Sequence, residues 1–138
     1  MTKKSALLSA FALISLLLVS ACSTISGTED VAAYNADPLS MPIPADVSGD
    51  ALETAMTTTF EGRGWTVTSS SPTEVVAQLN HRGFEAEATM KREGDVVKIY
   101  SNSTQNNAKT GEEEAAVPLG WLENLQKDFP RRLAAASR

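Results

Sequence analysis

The stretch Phe84-Glu85-Ala86-Glu87-Ala88-Thr89-Met90-Lys91 decides the fold. Phe84, Ala86, Ala88 and Met90 point one way, and Glu85, Glu87, Thr89 and Lys91 point the other. A strict period of two is the signature of a strand with one covered face and one wet face. Such alternation belongs to antiparallel sheets, whose second face can stay in water. The neighbours on either side extend the pattern. Val75, Ala77 and Leu79 share a face before the polar turn Asn80-His81-Arg82-Gly83. Val96 to Asn102 follows a turn centred on Gly94, with Val97 and Ile99 inward. Upstream, Trp65-Thr66-Val67-Thr68-Ser69 alternates and ends in the turn residues Ser70-Ser71-Pro72-Thr73. These four segments predict a four-stranded antiparallel meander.

The period changes to that of a helix beyond both ends of the meander. Leu52, Ala55, Met56, Thr59 and Phe60 define a helix from Asp50 to Glu61, with Asp50 as its cap and Glu53 three residues on. Gly62 and Gly64 end it. Thr57-Thr58-Thr59 is a poor helical run, so packing must hold the last turn. Leu122, Leu125, Phe129 and Leu133 form an apolar stripe over Leu119–Ala136, with Trp121 beside it. Pro130 lacks an amide hydrogen and predicts a kink or break. Residues 103–117 are polar and read as a loop. The expected architecture is α+β: a two-layer sandwich of helix, four-stranded antiparallel meander and helix, with both helices on one face of the sheet. The alternatives are a three-stranded sheet or a helix at the sheet's edge.

The N-terminus carries a different kind of signal. Lys3 and Lys4 precede an apolar run from Ser5 to Leu18, then Val19-Ser20-Ala21-Cys22. A basic start, a short apolar run and small residues make a secretory signal. The run is shorter than the roughly 20 residues that span a bilayer as a helix. Cys22 is the only cysteine in the chain, so it has no disulfide partner within it. Val19-Ser20-Ala21-Cys22 resembles the lipobox of bacterial lipoproteins. That resemblance implies cleavage between Ala21 and Cys22, a diacylglycerol on the thiol and an acyl chain on the new amine. Residues 1–21 are then a cleaved signal peptide, residues 22–49 the lipidated cysteine and a flexible proline-bearing linker, and residues 50–138 the α+β domain. Tyr34, Leu39, Met41 and Ile43 are the linker residues able to pack on the domain. Residues 23–46 would reach on the order of 70 Å fully stretched. By resemblance to Gram-negative lipoproteins, Ser23 favours an outer-membrane location facing the periplasm.

Charge narrows the partners. The chain of 138 residues has a net charge of −5, and residues 1–21 contain two lysines and no acid, so the mature chain is more acidic still. An acidic domain of this size has no basic footprint for nucleic acid. One histidine and one lipidated cysteine cannot form a zinc site of the usual kind. Glu85 and Glu87 read as a solvated face paired with lysines such as Lys98, against the alternative of a cation or general acid–base site. No catalytic set is apparent. Arg63, His81 and Arg82 form the best polar candidate, a small basic cluster able to hold a carboxylate or phosphate group if the first two strands pair. Trp65 and Trp121 read as core anchors, with a ligand groove between sheet and helix as the second reading.

Several motifs together resemble a family of small bacterial lipoproteins to which no activity attaches. They are Arg63-Gly64-Trp65, Ala77-Gln78-Leu79-Asn80-His81-Arg82-Gly83, Ala86 and Ala88, Ile99-Tyr100-Ser101-Asn102-Ser103, and Trp121-Leu122-Glu123-Asn124-Leu125. The resemblance spans residues 50–130. Many members show a tyrosine- and asparagine-rich approach to the last tryptophan, where this chain has Ala116-Val117-Pro118-Leu119-Gly120. The expectation is a non-enzymatic, membrane-anchored envelope protein with a protein partner or structural role. The alternative is a small-ligand or lipid-binding module using the sheet–helix crevice. No cofactor is expected beyond the acyl chains on Cys22.

Overall fold

The computed structural model describes residues 31–138, so the signal segment 1–21, Ala21, Cys22 and the residues up to 30 lie outside it. The elements are α1 (Val31–Ala36), β1 (Ser40–Pro42), α2 (Gly49–Glu61), β2 (Thr66–Ser70), β3 (Glu74–His81), β4 (Phe84–Glu93), β5 (Val96–Ser101), β6 (Thr104–Asn106), β7 (Glu113–Ala115) and α3 (Leu119–Ala136). The fold is α+β with one antiparallel sheet. Among the described residues, the expected four strands are seven and the expected two helices are three. Along the sheet the order is β1-β5-β4-β3-β2, with β6 on β4 and β7 on β6.

The β3–β4 hairpin forms the centre. Val75 faces Met90, Ala77 faces Ala88 and Leu79 faces Ala86, and all of Val75, Ala77, Ala86, Ala88 and Met90 are buried. The strands run on to the pair His81–Phe84, so the turn shrinks to Arg82-Gly83. Both turn residues have positive φ, 50° and 80°, as a two-residue hairpin of type I′ requires. Small side chains in mid-sheet leave room above them. α2 fills that room with Leu52, Met56 and Phe60, and α3 with Leu122, Leu125, Phe129 and Leu133, all in one core with Val97 and Ile99. Both long helices therefore cover the apolar face, as the alternation demands.

Three expectations along the chain need correction. α2 begins earlier than Asp50: the Ser48 hydroxyl accepts a hydrogen bond from the Ala51 amide at 3.1 Å and is the cap, while Asp50 sits in the first turn. Pro130 does not break α3. It is exposed, so its missing amide hydrogen costs a bond on the wet side, while Phe129 and Leu133 on the buried side hold the helix to the core. The supposed loop 103–117 contains two strands. β6 keeps the register that β5 sets along β4, and the Glu113–Ala115 backbone pairs with it.

The largest correction concerns the linker. Residues 31–47 are not a free tether; they complete the sheet and the core. Met41 sits opposite Val97 on β5 and is 1% exposed. The Tyr34 hydroxyl donates to the Ile99 carbonyl at 2.7 Å. Asn35 fills the gap between β1 and β7 in the manner of a strand. Its carboxamide accepts from the Ser101 amide at 2.9 Å and donates to the Ser101 carbonyl at 2.8 Å. A sheet edge at β5 would otherwise leave these groups unpaired.

Candidate functional site

The groups with most to offer a ligand meet at one end of the interface between sheet and helices. A cavity of about 350 Å³ is lined by Arg63, Trp65, Leu79, His81, Trp121 and Asn124. Three separate segments build it. At the end of α2, the Arg63 and Trp65 amides both donate to the Phe60 carbonyl, at 3.0 and 3.1 Å, and Gly64 takes φ +80°. That tight stop carries Arg63 to the rim and packs Trp65 at 3% exposure against Phe60, with ring centroids 5.6 Å apart. The end of β3 brings Leu79 and His81. The first turns of α3 bring Trp121 and Asn124.

Trp121 is the hub. Its ring meets Trp65 edge-on, with centroids 6.4 Å apart and planes at 88°. Phe84 lies 5.3 Å from it and His81 6.0 Å. Edge-to-face and tilted contacts at these distances are favourable and fix the ring's orientation. Trp121 remains partly exposed, so an aromatic surface is presented to the cavity in a set position.

Arg63 is held as firmly. Its Nε donates to Asp128 at 2.6 Å and its Nη2 to the other carboxylate oxygen at 3.1 Å. This two-point contact is the geometry for which a guanidinium is preorganised. The hydrogen bond from Arg63 holds the Asp128 carboxyl below its ordinary value of 3.8, against the opposing effect of burial. The charges of Arg63, Arg131 and Arg132 add to the lowering. Arg131 lies 3.8 Å from the same carboxylate. The reciprocal effect raises Arg63.

The expected basic cluster is therefore assembled in part. Arg63 and His81 share the cavity. Arg82 stands outside it, exposed in the left-handed turn between β3 and β4. Arg63 is also not unpartnered, because Asp128 accepts hydrogen bonds from it at two points. Trp65 and Trp121 line the groove that the second reading assigned them, while Trp65 also anchors the core. Leu79, Asn124 and Asp128 were not foreseen as site residues. Trp121, Asn124 and Asp128 recur at helical spacing beside the apolar stripe of α3, which is the signal that pointed to them.

The wet face of the sheet is largely paired with itself. Gln78 donates to Glu87 at 3.1 Å, and Lys98 lies 3.8 Å from Glu93 rather than beside Glu85 or Glu87. Tyr100 donates to Glu93, and that bond, with burial adding, raises the Tyr100 hydroxyl above its ordinary 10.0. Among the described residues, no three His, Cys, Asp or Glu side chains converge as a metal site.

The fold and the site together define a two-layer α+β domain with a preorganised aromatic recess at the boundary of its layers. No family model, curated protein or solved structure matches the chain.

Proposed function

We propose that this chain is a lipoprotein of the bacterial cell envelope, anchored through acyl chains on Cys22, that acts without catalysis by binding a partner at the aromatic recess. The outer membrane, facing the periplasm, is the location that Val19-Ser20-Ala21-Cys22 and Ser23 favour, and the small lipoprotein family described above is the one it resembles. The observation that carries the binding role is the recess itself. A partly exposed indole, half-buried Leu79 and a polar rim of Arg63, His81 and Asn124 are held there by elements on three sides. Motifs that lie far apart in sequence supply every one of these side chains.

A small-ligand role is the second reading. The cavity lies at the low end of the roughly 300–1,000 Å³ usual for small-molecule sites. An acyl chain suits it less well, because half of its lining residues are polar or charged. Among the described residues no helix is long and apolar enough to cross a membrane. Each buried methylene contributes about 0.8 kcal/mol, and two or more chains make a stable anchor. Replacing Cys22→Ser should leave the protein uncleaved or release it from the membrane fraction. A variant that is processed and fractionates like the parent sinks the anchor.

A further inference from the structure

We infer that the recess takes the ring of a neutral hexopyranose belonging to a glycan chain. This rests on the reading above that the recess is a binding site, and it names the chemical class of the occupant.

The occupant must first offer an apolar face. Trp121 lines the recess with part of its indole, and Leu79 adds aliphatic surface beside it. Polarised C–H groups suit aromatic surface of this kind. The occupant must also satisfy a rim of mixed donors and acceptors. Neither the Asn124 carboxamide nor the His81 ring is hydrogen-bonded to a described residue. The first offers two donors and an acceptor, and a neutral imidazole offers one of each. Arg63 spends its Nε–H and one Nη2–H on Asp128 and keeps the other three of its five donors. A pyranose meets both demands at once, with C–H groups on its face and hydroxyls that donate and accept around its edge.

Competing occupants meet only one demand. An aromatic or prolyl side chain from a protein would cover the indole but leave the rim desolvated and unpaired, at about 1–3 kcal/mol for each lost partner. A phosphate or carboxylate would suit a free arginine. Arg63 already gives Asp128 a two-point contact, so an anion would meet a guanidinium that is partnered, and it would leave the apolar surface of Trp121 and Leu79 unused. A volume of about 350 Å³ suits one ring, and the exposed His81 and Arg63 leave the recess open for a chain to continue outward.

The test uses a built-in reporter, since Trp65 and Trp121 are the only two tryptophans and both line the recess. The full chain in detergent is titrated with chitotetraose, maltotetraose and, separately, inorganic phosphate while tryptophan emission is followed. A saturable change with at least one oligosaccharide and none with phosphate is expected. Trp121→Ala should weaken binding about tenfold. Asn124→Ala should weaken it about threefold to tenfold with Tm unchanged, which separates lost contact from lost fold. Lys91→Ala, on the wet face, should leave binding intact.

A response to phosphate alone overturns the inference. So does silence from both oligosaccharides at about 10 mM, where even a 1 mM site would be about nine-tenths full. A photo-crosslinker at Leu79 in intact cells tells the two readings apart. A protein adduct without a sugar response refutes the glycan and leaves the recess a binding site. Neither adduct nor sugar response refutes both.

Discussion

Met41→Ala is the sharpest test of where the domain begins. In a flexible linker the substitution would be silent. In the structure Met41 is 1% exposed, opposite Val97, among the largest fully buried side chains. Buried Met→Ala changes cost about 2–5 kcal/mol, the spread reflecting how far each site collapses. β1 is a three-residue edge strand, so some collapse is open to it, and about 3 kcal/mol is the expected loss. For a domain of this size that lowers Tm by about 10–20 °C. The assay is urea unfolding of the full chain carrying Cys22→Ser, followed by tryptophan emission. The midpoint should fall while the slope with urea stays the same, since the surface exposed on unfolding is unchanged. Ser40→Ala is the control: Ser40 is exposed on the same strand and should shift stability by no more than about 0.5 kcal/mol. If Met41→Ala matches Ser40→Ala, residues 31–47 are a tether after all and the sheet ends at β5.

Two further outcomes follow from the geometry. Because Arg63 holds the Asp128 carboxyl below 3.8, the pair's contribution is fully present above that pH and is lost as pH falls through the lowered folded value. The stability gap between the parent and Asp128→Asn should thus be constant near neutrality and shrink in acid, read from urea midpoints across pH; a gap that persists into strong acid refutes the pairing. Arg82 holds φ 50° ahead of Gly83 at φ 80°. Asn tolerates the left-handed region better than Arg, so Arg82→Asn should stabilise by about 0.5 kcal/mol, and a lower Tm would contradict the turn assignment.

The centre of the fold was legible because its signals were local and repeated. Phe84 to Met90 alternates without exception, and its partner Val75-Ala77-Leu79 alternates in phase, so the hairpin and its buried face followed from period alone. The stripe of α3 was equally plain. What escaped was structure whose cause lies elsewhere in the chain. β1 has three residues, the last of them Pro42, and becomes a strand because β5 offers it an edge. β6 and β7 are strands because β4 extends beyond the end of β5. Asn35 pairs with Ser101 across 66 residues of sequence, a contact that no local pattern announces. The site divided in the same way. The two tryptophans and Arg63 stood out by residue type, whereas Asp128 acquires its role only when α3 crosses the end of α2.

The redrawn boundary also changes what the recess can reach. With residues 31–47 inside the domain, only residues 23–30 separate Cys22 from α1, a reach of about 27 Å when extended instead of the 70 Å of the longer tether. A domain of this size has a radius of gyration of about 13 Å, so an acylated Cys22 would hold it within about one diameter of the bilayer. α1, the first described element, packs at the β1–β5 edge. The recess lies by β2 and β3, toward the opposite edge of the sheet. A chain anchored ahead of α1 would be held from that edge, and the aromatic recess would lie on the far side of the sheet from the point of attachment.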